Sequence, residues 1–493
     1  MEFLNKLNDI VVGINDVVWG VPLILFIMAV GIWLTLRTKV IQVRHLPRAL
    51  RYMVKNEDGG KGEVSSFGAL CTALSATIGT GNIVGVATAV RAGGPGALFW
   101  MIVAAFFGMA TKYAEGLLAV KYRTIDEDGH VLGGPFYYIE KGMGSKWKWL
   151  AKLFAFFGMC ASLFGIGTFT QINGITSAVQ GFFDPMKSNT ISFLGQDHSW
   201  AVVISGIIIT LCVALVVIGG IKRIAKVTEI VVPFMAVAYV LFALILVIVN
   251  YKEVPSAISV IIKGAFNPAA VTGGVVGSMI VAMQKGVARG IFSNESGLGS
   301  APIASAAAQT KQPVRQGLVS MTGTFIDTII ICTMTGLAIV VTGAWQVDGI
   351  EGVEVTMYAF NNGLPFSGMV SSFVLMMCLV FFAFTTILGW NYYSERCLEY
   401  LSMGNRTAIM IYRTLFLIAI FIAPYMQVSL VWNAADVFNG LMAFPNLIAL
   451  VALSGVVASE TKRYLNKELY IKERNERKKL HRALDIISKI VLS

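Results

Sequence analysis

Charge is scarce in this chain. Of its 493 residues, 14% are Asp, Glu, Lys or Arg, where a soluble globular domain carries about 25%. Histidine and cysteine are also rare. The four histidines (His45, His130, His198, His481) fall in predicted loops or tails, and no acidic cluster repeats at metal-ligand spacing. That pattern argues against a membrane-embedded enzyme and against an organic cofactor. The six cysteines (Cys71, Cys160, Cys212, Cys332, Cys378, Cys397) lie in or beside apolar segments. Without metal-like spacing they read as packing residues, not as a disulfide framework. Acid at Glu2, Asp9 and Asp16 opposes the positive start of a cleavable signal. What is abundant is apolar: 56% of residues are hydrophobic and mean hydropathy is +0.71. The apolar residues come in blocks near 20 long, so the chain reads as an all-α polytopic protein of the cell membrane.

Eleven spans are expected. The first is Val17 to Leu36. Ten more follow, numbered here core helices 1 to 10, at about 64–90, 96–120, 153–183, 200–221, 230–250, 271–308, 317–347, 365–394, 407–425 and 429–459. The net charge of +11 would point to nucleic acid in a soluble protein, but here its cause is loop composition. With the N-terminus outside and the C-terminus cytoplasmic, cytoplasmic segments hold 31 of the 39 Lys and Arg residues and external segments hold five. That asymmetry supports the count and the orientation. The organisation expected is residues 1–63 (first helix and basic loop), 64–250 (first five-helix repeat), 251–459 (second, inverted repeat) and 460–493 (basic tail). The tail, with Leu484 to Leu492 at its end, reads either as a surface helix at the inner leaflet or as a solvated tail. The loop at 122–148 carries Phe136, Tyr137 and Tyr138, which predicts packing against the bundle.

Two spans are interrupted by glycine-rich polar runs. Core helix 1 contains Ser75-Ala-Thr-Ile-Gly79-Thr80-Gly81-Asn82, and core helix 6 contains Phe292-Ser293-Asn-Glu295-Ser-Gly297-Leu-Gly299-Ser300. In lipid a broken helix is tolerated only against protein or a cavity. A pair of breaks at matching places in two halves points to the central site of a secondary transporter. Unwinding at Gly79 and Gly81 frees carbonyls for a cation and leaves helix-start N–H groups for a carboxylate; alternatively, the small residues only let helices approach. Glu295, a charge at membrane depth, is a functional candidate or a structural partner of Lys285 or Arg289. In core helix 8, Thr385 and Thr386 either bond back to their own helix or face a ligand. Thr386 and Trp390 share one face. Gln171 and Asn173 in core helix 3 either meet substrate or bridge helices. Asp327 and Asp436 read as structural partners, with proton relay the alternative.

Together these residues resemble the alanine or glycine:cation symporters, also called sodium:alanine symporters, from about residue 15 to 460. The motifs that carry the resemblance are Gly79 to Asn82, Gly93-Gly-Pro-Gly-Ala-Leu-Phe-Trp-Met101, Phe292 to Gly299 and Trp390-Asn-Tyr-Tyr-Ser-Glu395. The resemblance implies a LeuT-like core of five plus five inverted helices preceded by one extra helix. It implies sodium-coupled uptake of a small neutral amino acid such as alanine or glycine, with glutamine, serine or proton coupling as alternatives. Carried over by motif, substrate would meet Thr80, Gly81, Gln171, Phe292, Gly297, Thr386 and Trp390. One sodium would sit among Ser75, Ile78, Phe382, Thr385 and Thr386. A second would use Thr77, Asn82 and Ser293. Neither cage contains a carboxylate in this reading. The partners implied are the amino acid and the lipid bilayer, with no nucleic acid and no obligatory protein.

Overall fold

Apolar periods too long for a soluble core become long helices here. The computed structural model describes residues 2–467 except 56, 58, 128, 194–195, 267–269, 273–274, 278 and 427–428. The expectation of a surface helix within 468–493 lies outside the described residues. Among the described residues, nine helices are long and apolar enough to cross a membrane, and a bent pair makes a tenth. Large apolar side chains on core helices 4 and 5, such as Leu215, Ile230, Phe234 and Leu241, face outward with more than half their surface exposed. Such a belt suits lipid and not water. The chain is an α-helical multi-pass membrane protein.

The ten spans match all of the expected ones except core helix 6. That segment divides into Met279–Asn294 and Ala301–Ala306, each too short to qualify alone. Its expected start at 271 is not helical, since Ala270–Thr272 and Val275–Gly277 pair as antiparallel strands. Valines flanking Gly273-Gly274 in the sequence are a hairpin signal, which the apolar count overrode. The first span is Lys6–Arg37, longer than expected, with a joint at Trp19 and Gly20 between the helices Glu2–Val18 and Val21–Arg37. The Trp19 indole donates to the Asp436 carbonyl at 2.9 Å and fixes that joint to core helix 10.

Core helix 1 opens at Ser66, where the Ser65 hydroxyl caps the Gly68 N–H at 2.8 Å. It runs to Thr77, breaks, and resumes as Gly81–Gly93 with a 54° bend. Core helices 2 (Gly96–Tyr122) and 7 (Pro313–Val341) pack closely: a Cβ on Gly317 would lie 2.7 Å from the Tyr113 carbonyl. Small residues allow such approach where no hydrophobic force drives helices together. π-helical turns interrupt core helices 1, 3 and 7 at Gly81–Gly85, Ser162–Ile166 and Phe325–Cys332, a feature that recurs at functional sites. The loop after core helix 2 does pack inward: Phe136 and Tyr138 are fully buried, and Tyr138 donates to Asn446 on core helix 10.

Candidate functional site

The first break gathers oxygen atoms from three helices. Thr77 ends the helix, and Ile78 turns extended (φ −78°, ψ 91°), so its carbonyl leaves the helical ladder. The Thr386 hydroxyl sits 3.3 Å from that carbonyl and 2.9 Å from the Phe382 carbonyl. One hydroxyl proton cannot serve two acceptors fully, so three neutral oxygens converge with too few donors among them. Thr385 differs. Its hydroxyl lies 3.0 Å from both Phe381 and Phe382 carbonyls of its own helix. The Ser75 hydroxyl likewise bonds the Thr72 carbonyl. Gly389 makes the crossing possible: a Cβ there would lie 2.8 Å from the Ala76 nitrogen and the Ser75 Oγ.

Core helix 3 closes this group. Gln171 is 2% exposed, and its Oε1 has no hydrogen-bond partner. A Cβ on Gly79 would lie 3.5 Å from that oxygen and 2.6 Å from Thr386 Oγ1. Gly79 therefore holds open the space between Gln171 and Thr386. Asn173 instead donates to Phe169 and Ala423 carbonyls, bridging helices. Thr80 packs on Gly174, where a Cβ would meet its methyl at 2.8 Å. Gly81 faces core helix 6, with Phe292 Cδ1 and Ser293 Cα each 3.6 Å from where its Cβ would be. Phe292 in turn floors a cavity of about 300 Å³ walled by Asp16, Trp19, Lys285, Arg289 and Asp436.

A second oxygen cluster centres on Asp327, which is fully buried. Asn82 Nδ2 donates to its Oδ1 at 2.7 Å. Ser293 and Thr328 hydroxyls donate to its Oδ2 at 2.8 and 2.7 Å. The expectation that the cage of Thr77, Asn82 and Ser293 holds no carboxylate is thus corrected: core helix 7 brings Asp327 between Asn82 and Ser293. Thr77 is not part of this group, since its hydroxyl stays 3.2–3.3 Å from Leu74 and Ala73 carbonyls of its own helix.

The break in core helix 6 spans 295–300, so Phe292 and Ser293 lie in the last helical turn before it. Glu295, Gly297 and Gly299 all have positive φ (55°, 93°, 83°). The polar groups of the break itself are held, while Glu115 Oε2 and Lys112 Nζ beside it are buried without a hydrogen-bond partner among the described residues. Glu295 accepts from Ser300 at 2.5 Å. The Gly297 N–H donates to Glu115 Oε1 at 3.2 Å, and its carbonyl accepts from Asn446 Nδ2 at 2.9 Å. Asn446 also donates to Glu115 at 2.7 Å. Gly297 is surrounded by Ile27 and Leu447 and is not brought to Thr386 or Gln171. Glu295 does not pair with Lys285 or Arg289, which line the cavity above Phe292. The basic side chain near it is Lys112, 3% exposed, with Glu115, Glu295 and Asp327 around it and no hydrogen-bond partner on its Nζ.

Trp390 is buried between the two breaks. Its carbonyl accepts from Ser162 at 3.0 Å, its ring meets Tyr393 edge-on at 5.8 Å, and its indole neighbours Glu295. The sequence reading missed Glu115, Lys112 and Asn446. The signal was present for the first two: opposite charges three residues apart inside an apolar span.

The sodium:alanine symporter family model matches residues 4–479. An uncharacterised transporter of Haemophilus influenzae is 54% identical over 94% of this chain and 97% of its own length. A Methanococcus maripaludis protein named sodium/alanine symporter AgcS is 46% identical over 94% of this chain and 98% of its own. A Bacillus subtilis protein named probable sodium/glutamine symporter GlnT is 35% identical over 94% and 92%. The chain belongs to the sodium:alanine symporter family.

Proposed function

We propose that this protein couples sodium entry to uptake of a small neutral amino acid, alanine or glycine, by alternating access. The observation that carries the reading is the meeting of the Ile78 and Phe382 carbonyls at Thr386, beside the unpartnered oxygen of Gln171. Neutral hard oxygens in a dry site suit an alkali cation. Sodium sits there, between the unwound part of core helix 1 and core helix 8, with Ser75 and Thr385 supplying its outer ligands. The amino acid lies on the other side of Gly79. Its carboxylate meets the N–H groups of Thr80 and Gly81, because the first amides of a helix lack intrahelical acceptors and sit at its positive end. Its ammonium is taken by Gln171 Oε1. Phe292 closes the site from the 300 Å³ cavity, and Trp390 separates it from the second break. Gly297 acts through the fold of core helix 6.

Sodium at this position ties core helix 1 to core helix 8 and shapes the amino-acid site. Linkage then requires the amino acid to tighten sodium binding equally. The membrane potential adds about 2.3 kcal/mol per charge per 100 mV. The assignment assumes the LeuT-like arrangement of eleven spans with the N-terminus outside, in which core helices 1, 2, 6 and 7 rock against 3, 4, 8 and 9. The Asn82–Asp327–Ser293 cluster favours a second reading for the second cation: a proton or sodium at Asp327 in place of a cage with Thr77.

The test is uptake of labelled alanine, glycine and glutamine into proteoliposomes, with an inward sodium gradient and then with potassium in its place. Accumulation with sodium alone supports the reading and ranks the substrates. Sodium-indifferent uptake driven by an acid-outside gradient would move coupling to Asp327.

A further inference from the structure

One cluster outside the transport site joins three segments on the face that carries most of the Lys and Arg. Glu63 stands just ahead of core helix 1. His130 lies on the hairpin Thr124–Leu132 between core helices 2 and 3. Arg396 and Glu399 lie at the end of core helix 8. His130 Nδ1 is 3.1 Å from Glu63 Oε1, and its Nε2 is 2.8 Å from Glu399 Oε1. A neutral imidazole has one N–H donor, whereas both ring nitrogens here face carboxylates; the doubly protonated ring serves both, with Arg396 Nη1, which also lies 2.5 Å from Nε2, turned onto Glu399 as its acceptor. The surroundings hold this geometry. Glu63 also accepts from the Val131 main-chain N–H at 2.6 Å, and Asp126 accepts from the His130 main-chain N–H at 2.7 Å. Arg396 grips the second oxygen of Glu399 at 2.6 Å. A cavity of about 850 Å³, walled in part by His130, Arg396 and Glu399, borders the cluster.

The position gives the cluster its meaning. A neighbouring tie on this face joins elements expected to move together. Arg123, at the end of core helix 2, donates to the Ala306 and Ala308 carbonyls after core helix 6 and to the Lys61 carbonyl before core helix 1. The His130 contacts instead connect the head of core helix 1 to the foot of core helix 8, the two bodies that must part for this face to open. We infer that His130 is a protonation-dependent latch: as imidazolium it bridges Glu63 and Glu399 and holds this face closed, and loss of its proton lets core helices 1 and 8 separate. The inference rests on the alternating-access reading.

The sign follows from linkage. Hydrogen bonding to Glu399 first, then to Glu63, pushes the imidazole up to about 9 against burial and the Arg396 charge. A freed histidine titrates near 6.5. Below about 6.5 the latch contributes fully. Between about 6.5 and 9 opening releases a proton, so the open fraction rises by up to about tenfold per pH unit. Above about 9 the latch is lost.

The test places spin labels at Lys61→Cys and Met403→Cys, both exposed, in full-length protein with the half-buried Cys212 changed to Ser. Label separation is read from pH 6 to 10 without sodium. The separated fraction is expected to rise steeply between pH 6.5 and 9, to lose its pH dependence in His130→Gln, and to rise at lower pH in Glu399→Gln. A pH-independent separation in the parent protein, or the same profile in His130→Gln and Glu399→Gln, overturns the latch. Sodium-dependent alanine binding by the same samples at pH 7 is read separately. Its absence would defeat the symport reading, and the label response would still decide whether His130 governs this contact.

Discussion

The two broken helices look alike in sequence and differ in what their breaks leave free. In core helix 6 the backbone of the break is locked, although the neighbouring Glu115 Oε2 and Lys112 Nζ have no hydrogen-bond partner among the described residues. Glu115 and Asn446 take up both the N–H and the carbonyl of Gly297, and Ser300 holds Glu295. In core helix 1 the Ile78 carbonyl shares one threonine proton with Phe382, and the facing oxygen of Gln171 has no partner. A glycine-rich break is therefore not a site by itself. It becomes one where neighbouring helices leave its polar groups underserved, since a buried group without a partner costs about 1–3 kcal/mol and a ligand recovers that cost. The locked break gives the open one a rigid neighbour, with Phe292 and Ser293 held against Gly81.

The division can be broken from either side. The largest effect is expected from Gly79→Ala, whose Cβ would lie 2.6 Å from Thr386 Oγ1. Overpacking of about 1–3 kcal/mol at the site should cut uptake by about tenfold to a hundredfold while thermal unfolding moves little. Next comes Asn446→Ala, which strips Glu115 and Gly297 of a donor. Stability should fall by about 2–3 kcal/mol, read as a lower Tm in detergent, with the half-saturation for sodium unchanged. A normal Tm would mean the second break is not locked as described.

Smaller and sharper effects should separate the two ligands proposed at the open break. Thr386→Val replaces the proposed ligand oxygen with a methyl and should raise the half-saturation for sodium by about tenfold, the worth of one hydrogen-bond-sized contact. Gln171→Leu should weaken alanine binding by a similar factor while sodium binding measured without alanine stays put. Trp390→Ala should shift the substrate profile toward larger side chains; an unaltered profile would remove Trp390 from the pocket wall.

Much of this was legible in the chain. Spacing of apolar blocks gave ten of the spans, and the paired glycines marked both breaks. What escaped was phase and distance. Thr385 and Thr386 are the same residue type one step apart, and only the crossing of core helix 8 over core helix 1 at Gly389 decides which reaches Ile78. The lock on core helix 6 depends on Glu115 and Asn446, 182 and 149 residues from Gly297, contacts that no local pattern encodes. Asp327 was visible as a lone acid, but its meeting with Asn82 and Ser293 required the packing of core helices 1, 6 and 7. The strands Ala270–Thr272 and Val275–Gly277 read as helix in the sequence because apolar content outweighs a glycine pair.

The most direct measurement is binding of labelled alanine by purified protein against sodium concentration, with Thr386→Val and Asn446→Ala beside the parent. If the first break is the site and the second its support, Thr386→Val shifts the sodium dependence to higher concentration and folded Asn446→Ala keeps that of the parent. An unshifted curve for Thr386→Val together with a shifted one for Asn446→Ala would contradict the account and move the cation to core helix 6.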